Sequence, residues 1–196
     1  MYTEWVMTIE SGLSRLLDQN LMVRSATPLA GSGGTSRERY TFVETSFDVT
    51  LLRLFGETRY WSRLGFEIPY VATDITNHAD SYRVMRENVS LLARGFNSIL
   101  ASLAPAERKL FGERLHALEK KVLPGLTKLT WAAKMRLQTD AYLKEARRVC
   151  TELERVVTSF HRAKRLVAKA RCCMCATVSP TFRLHLGSTS LRRAER

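Results

Sequence analysis

Two stretches carry residue types that could do chemistry. Gly31-Ser-Gly-Gly-Thr35 invites a phosphate. A phosphate-cradling P-loop needs a lysine and then a serine or threonine directly after its last glycine, so that the amine reaches the outer phosphates and the hydroxyl reaches the metal. Here Gly34 is followed by Thr35, Ser36 and Arg37, and the pattern G-x-x-x-x-G-K-S/T occurs nowhere in the chain. The run reads as a flexible loop. Cys172-Cys-Met-Cys175 holds a C-x-x-C, which with Cys150 and His185 could supply zinc donors. A structural zinc site wants a second ligand pair at comparable spacing, and none is present. Inert or buried thiols are the preferred reading over metal binding, lipidation or redox chemistry.

The remaining candidates are weaker. His78, His116, His161 and His185 have no nucleophile or acid at a recognised spacing. His78 falls on an apolar helical seam, where a packed histidine is the simpler reading. Asn88-Val-Ser90 is a glycosylation sequon that a cytosolic helix would never present to the machinery. Trp61 and Trp131 could anchor a partner, but both sit in apolar patterns beside helix ends, which favours core packing. The basic stretch at 162–171 could bind phosphates, or form a solvated helix face. No catalytic residue, metal site or cofactor site emerges.

Composition bounds what must position these residues. The 196 residues are 45% hydrophobic and 26% charged, enough apolar content for a packed core and unlike a disordered chain. Ten glycines and five prolines cluster at a few points, which favours long helices over an all-β fold. No apolar run approaches the roughly 20 residues that span a bilayer, so no membrane association is expected. The first 20 residues carry Glu4, Glu10 and Asp18 and resemble neither a secretory signal nor a mitochondrial presequence. A cytosolic chain with reduced thiols is expected. The net charge of +12 is uneven. Residues 155–196 hold ten Lys/Arg and one acid, Glu195, for +9, whereas the first 154 hold 21 bases and 18 acids, for +3. The basic character therefore belongs to the C-terminal fifth, and nucleic acid is disfavoured as a partner of the whole chain.

The pattern along the chain predicts mostly helix. Residues 3–19 put Trp5, Val6, Ile9, Leu13, Leu16 and Leu17 on one face. Residues 20–45 read as a β-hairpin with a long glycine-rich tip. Asp48 is placed to cap a helix over 49–64 that buries Leu51, Leu52, Phe55, Trp61 and Leu64, with Gly65 ending it. Ile75, His78, Tyr82, Met85, Val89, Leu92, Phe96, Ile99 and Leu103 recur at alternating spacings of 3 and 4, a heptad seam sustained for four repeats. Pro105 opens a further helix to about 122, with Leu110, Phe111, Leu115, Leu118 and Val122 inward. Pro124-Gly125 predicts a stop. A last long helix, roughly 132–172, carries a second stripe: Leu143, Ala146, Cys150, Leu153, Val157, Phe160, Ala163, Val167 and Ala170. Gly95 and Gly112 fall inside expected helices, each costing about 1 kcal/mol relative to alanine. The expected fold is mainly α: an elongated helical bundle over 1–172 with one small hairpin near the N-terminus, and a disordered basic tail over 173–196.

At Leu51 the chain reaches a recognisable stretch, Leu51-Leu-Arg-Leu-Phe-Gly-Glu-Thr-Arg-Tyr-Trp-Ser-Arg-Leu-Gly-Phe-Glu-Ile-Pro69. Arg86-Glu-Asn-Val, Phe96-Asn-Ser-Ile-Leu100, Glu107-Arg-Lys-Leu-Phe111 and Pro124-Gly-Leu-Thr-Lys-Leu-Thr-Trp131 follow in order and spacing. Over roughly 20–167 the chain resembles the N-terminal tail of dynein heavy chains, closest in style to the axonemal members. The resemblance fades after about Val167 and is absent from 172–196. It implies a segment of the helical tail, not of the ATP-hydrolysing, microtubule-binding motor. It also implies partners among dynein subunits, namely heavy, intermediate and light-intermediate chains. The implied location is the cytoplasm and cytoskeleton, in the axoneme of a cilium or flagellum. It carries over no catalytic residue and no cofactor, so an enzyme is not expected. The alternative is a basic helical module that binds nucleic acid or anionic surfaces through the C-terminal fifth.

Overall fold

The chain is seen in a computed structural model that describes residues 2–28 and 41–177. It divides into two compact units, Met1–Arg155 and Val156–Arg196. The elements run α1 (Tyr2–Leu17), β1 (Met22–Pro28), β2 (Thr41–Thr45), α2 (Thr50–Arg63), α3 (Tyr70–Asn77), α4 (Ala79–Ser102), α5 (Pro105–Leu110), α6 (Gly112–Thr127) and α7 (Arg136–Thr177). One 3-10 turn, Ala133–Met135, leads into α7. The mainly α class with a single antiparallel hairpin near the N-terminus is as expected. The division between units falls inside α7. The helix runs to Thr177, so 173–177, expected as the start of the tail, are helical. The rest of the expected tail, and the Gly31–Thr35 loop, lie outside the described residues.

Side-chain and backbone polar groups tie the hairpin to the helices. The Ser46 N–H donates to the Leu21 carbonyl at 3.2 Å, and the register pairs Val23 with Glu44 and Arg24 with Val43. Hydrogen-bonded and non-hydrogen-bonded pairs alternate in an antiparallel ladder, so Val43 turns its N–H and C=O away from β1. Asn97 of α4 takes both. Its Oδ1 accepts from the Val43 N–H at 2.9 Å, and its Nδ2 donates to the Val43 carbonyl at 2.8 Å. The amide thus occupies the edge where a third strand would pair. Val43 is only 2% exposed, so water cannot replace these bonds. Asn97→Ala is expected to cost about 2 kcal/mol of stability, read as a lower urea midpoint. Asn88, whose Oδ1 accepts from the exposed Arg147 Nη1, is the control on the same helix. Asn88→Ala should shift the midpoint by no more than about 0.5 kcal/mol. Equal shifts would sink the strand-edge role.

A second knot joins three chain segments. Leu21 N–H donates to Leu129 O at 3.0 Å, and Trp131 N–H donates to Gln19 O at 3.3 Å. The Asn20 Nδ2 donates to Leu126 O at 2.9 Å. Ser46 Oγ donates to the Asn20 carbonyl and accepts from Trp131 Nε1, the latter at 3.1 Å. Trp131 is fully buried, with Phe47 packed edge-on at a centroid distance of 4.9 Å. Core packing, preferred for this tryptophan from its sequence context, is what the fold uses.

The heptad seam is the spine of the core. Ile75, Tyr82, Met85, Val89, Leu92, Phe96, Ile99 and Leu103 are all buried. It does not lie on one continuous helix, however. At His78 the backbone takes φ −109° and ψ 19°, ending α3 and starting α4. The His78 Nδ1 sits 2.8 Å from the Asp74 carbonyl oxygen, so the histidine is a half-buried junction residue, as its seam position suggested. At the other end Ala104-Pro105 breaks the seam as predicted, and the Glu107 carboxylate reaches back to accept the Ala104 N–H at 2.9 Å.

Several local expectations are corrected. The helix expected from Pro105 to about 122 is two helices, because Phe111 leaves helical geometry at φ −93°, ψ 11°. That turn leaves Phe111 buried as expected, whereas Leu110, expected inward, is 69% exposed, since about 100° of helical phase separates the two. It also puts Gly112 at the start of α6, where the expected interior penalty does not arise. Pro124-Gly125 does not stop its helix, since α6 continues to Thr127. The reason is tertiary. Gly125 is buried where neighbours close on α6, and a Cβ there would lie 2.6 Å from Tyr142 Oη and collide with Met22 Cε. The Tyr142 hydroxyl donates to Val122 O at 3.0 Å, and burial pushes its pKa up to about 12, so it stays a donor. Gly95 likewise marks a close approach of helices, for a Cβ would stand 2.9 Å from Cys150 Sγ.

Candidate docking surface

The end of α2 is built by its capping chemistry. The N-cap of α2 is Val49 rather than the predicted Asp48, and Asp48, one residue earlier, accepts at Oδ1 from the Thr50 N–H at 2.8 Å and the Thr50 hydroxyl at 2.7 Å. These two bonds favour the ionised form and hold the Asp48 carboxyl below its ordinary pKa. Gly65 ends the helix at φ +77°, with Gly65 N–H donating to Ser62 O at 3.1 Å and Phe66 N–H donating to Trp61 O at 3.0 Å. That doubled closure is a Schellman motif, and it needs the left-handed conformation that glycine adopts without strain. An extended link, 66–69, then leads into α3.

This tight reversal leaves large apolar side chains in solvent. Tyr60 is 63% exposed, Leu64 71%, Phe66 48% and Tyr70 80%. Leu64, expected inward, is exposed instead, about 140° around the helix from the buried Leu51. Trp61 is half-buried between them in sequence, so the core role preferred for it is only partly met. Arg59 and Arg63 lie exposed on the same helix. Aromatic residues and arginine are the types that interfaces concentrate, because they offer large contact area and several donors for little conformational cost. Scattered apolar residues on a surface need no explanation, but four this exposed within eleven positions of the sequence, Tyr60 and Leu64 one turn apart, make this reversal a candidate surface patch. The patch lies inside the Leu51–Pro69 stretch and the residue after it.

The chemistry-bearing candidates do not converge. Cys150 is buried on α7, and burial pushes its thiol up to about 11, which keeps it protonated and unreactive near neutral pH. The Cys172–Cys175 cluster lies on α7, but its side chains and His185 lie outside the described residues. Among the described residues no group of three or more His, Cys, Asp or Glu side chains could hold a metal. His116 is exposed and the His161 ring lies 5.6 Å from that of Phe160, far along the chain from His78. No described helix is long and apolar enough to cross a membrane. A shallow groove between β2 and α4 is lined by Glu44, Thr45, Arg86, Glu87, Arg94 and Asn97. Two carboxylates offset two guanidiniums there, so the groove has no net charge with which to select an ion. Asn97 and Ser46 are the polar residues the sequence reading missed. Only the Phe96-Asn-Ser-Ile-Leu100 motif hinted at the first.

Comparison with known proteins decides what the patch belongs to. Residues 1–142 match the family described as dynein heavy chain, N-terminal region 1. The chain belongs to the dynein heavy-chain family. It is 36% identical over 159 residues to dynein axonemal heavy chain 2 of Mus musculus, covering 81% of this chain and 3% of that protein. It is 32% identical over 162 residues to the dynein-1-beta heavy chain of the flagellar inner arm I1 complex of Chlamydomonas reinhardtii, covering 83% of this chain and 3% of that one. It is 21% identical over 161 residues to human dynein axonemal heavy chain 10, covering 82% of this chain and 4% of the relative. The dynein resemblance read from separate motifs is thus the family itself. The chain corresponds to a short part of the N-terminal region of these heavy chains, not to their ATPase motor.

Proposed function

We propose that this dynein heavy-chain segment is a non-catalytic structural piece of the tail. It supports heavy-chain association and the docking of intermediate and light-intermediate chains in an axonemal motor of a cilium or flagellum. The observation that carries the reading is the family match over residues 1–142. The physical support is twofold. Knots at Asn97–Val43 and at Asn20–Ser46–Trp131 fix the hairpin against the helices, as a load-transmitting segment requires. The exposed aromatic and arginine patch at the α2–α3 reversal offers a surface that a neighbouring subunit would desolvate.

The test is affinity capture of the tagged 196-residue chain from ciliated cells, read by mass spectrometry at low and high salt. A Tyr60→Asp/Tyr70→Asp variant and a deletion of residues 179–196 run beside it. Both tyrosines are exposed, so the double variant should keep its thermal melt. Dynein subunits should be recovered regardless of salt and of the deletion, and lost at least tenfold in the tyrosine variant. Recovery only of nucleic-acid proteins, vanishing with salt or with the deletion, would overturn the reading.

A further inference from the structure

The apolar stripe of α7 changes character along its length. Leu143, Ala146, Cys150, Leu153 and Val157 are buried, and Phe160 is half-buried. From residue 162 onward every α7 side chain that the structure describes is exposed, yet the stripe continues as Ala163, Val167 and Ala170, with Leu166 beside it. At about 100° per residue, these four share an arc of roughly 100° on the helix. Leu166 is 63% exposed and Val167 56%. Arg171 borders the arc on one side, and Arg162 and Lys169 border it on the other. The sequence contains no Asp or Glu between Glu154 and Glu195. The result is a helical seam that none of the described residues covers, with basic margins and no acid of its own.

We infer that this face of α7 binds an acidic amphipathic helix of a partner protein, whose apolar stripe covers Val167 and Leu166 and whose flanking carboxylates pair with Arg162, Lys169 and Arg171. The charge pattern selects this occupant. A second copy of the same face would set base against base. A nucleic-acid backbone would meet the guanidiniums but leave the apolar arc in water, gaining nothing from it. A lipid surface would be entered by a face that is half alanine and has no tryptophan, which buries little apolar area in the headgroup layer. A partner helix uses both features. Ala163 and Ala170 let it approach closely, and carboxylates at its margins match the bases as in the e and g positions of a coiled coil.

The test uses the full 196-residue chain and a fluorescent synthetic 28-residue helical peptide with leucine at its a and d positions and glutamate at e and g. Anisotropy is measured against it, against the same peptide with lysine at e and g, against an unstructured polyglutamate of equal charge, against phosphatidylserine vesicles and against duplex DNA. The acidic helix should bind at least tenfold more tightly than each of the other four probes. A triple variant, R162E/K169E/R171E, should lose at least tenfold toward the acidic helix and gain affinity for the lysine peptide. Val167→Asp should also lose at least tenfold, with the thermal melt unchanged because the residue is exposed. Failure of the acidic helix to bind would overturn the inference. So would polyglutamate, vesicles or DNA binding equally well, or affinity that survives Val167→Asp, since each removes the need for an apolar helical partner.

Discussion

Replacing Trp131 by alanine should cost about 4–5 kcal/mol, the largest loss expected from any single side chain here. The indole is fully buried, and it binds three segments at once. Its ring takes the edge of Phe47 at an interplanar angle of 77°. The Arg86 guanidinium lies 5.9 Å from the Phe47 centroid, extending the stack to α4. Its Nε1–H is the donor that Ser46 Oγ accepts while that hydroxyl donates to Asn20. Alanine therefore removes apolar contacts and leaves Ser46 with half its bonding. Trp131→Phe separates the two effects. It keeps most of the buried surface and loses only the N–H, so about 1–2 kcal/mol is expected. Trp61→Ala, at a half-buried site, should cost less than Trp131→Ala. Urea unfolding followed by circular dichroism checks all three. Equal midpoints for Trp131→Ala and Trp61→Ala would mean that the knot does not hold the hairpin to the helices. A domain with a typical total of about 5–15 kcal/mol has little left after losing Trp131, so reduced soluble yield should accompany the shift.

Periodicity made the core legible because burial follows it. The alternating 3 and 4 spacing from Ile75 to Leu103 needs only that one face meet other helices, and the face survives the break at His78 because α3 and α4 keep the same side inward. Local signals failed where a tertiary contact outweighed them. Pro124-Gly125 has the composition of a stop, yet Gly125 is there to admit Met22 and Tyr142. Gly95 looks like a helix defect and is the notch opposite Cys150. Leu110 and Leu64 are apolar at helix ends, but on an ideal helix they lie about 100° from the buried Phe111 and about 140° from the buried Leu51, outside the inward stripes.

Polar joints were harder to read, for a physical reason. Nothing in an isolated sequence says that the Val43 backbone faces away from its partner strand, so nothing marks Asn97 as the group that satisfies it. The same holds for Ser46, whose role depends on two segments 26 and 85 residues away. The candidate docking patch was obscured by its own composition. Leu64 reads as core by its apolar character, yet at about 100° per residue both Tyr60 and Leu64 stand more than about 130° from the buried Leu51, so helical phase makes them surface. The family was readable because several motifs kept their order and spacing, which is a stronger constraint than any one residue's chemistry.

Phe96→Ala should cost about 3–5 kcal/mol, because the ring is 4% exposed at the middle of the α4 seam. Its position makes the expected effect more than local. Gly95 on one side is the notch facing Cys150 of α7, and Asn97 on the other holds the edge of β2. A cavity at 96 therefore lies between two of the contacts by which α4 meets α7 and the hairpin, and their loss should be coupled. Phe96→Ala combined with Asn97→Ala should deviate from additivity by more than about 0.5 kcal/mol, as neighbours sharing one packing unit do. Leu91→Ala on the exposed side of α4, at 39% exposure, should cost under about 1 kcal/mol. If the seam carries assembly, Phe96→Ala should reduce recovery of dynein subunits in proportion to its loss of folded protein, while Leu91→Ala leaves recovery intact. A melt unchanged by Phe96→Ala would remove that residue from the core. A destabilised variant that still recovered its partners in full would separate the seam from the docking surface and leave the α2–α3 patch to act alone.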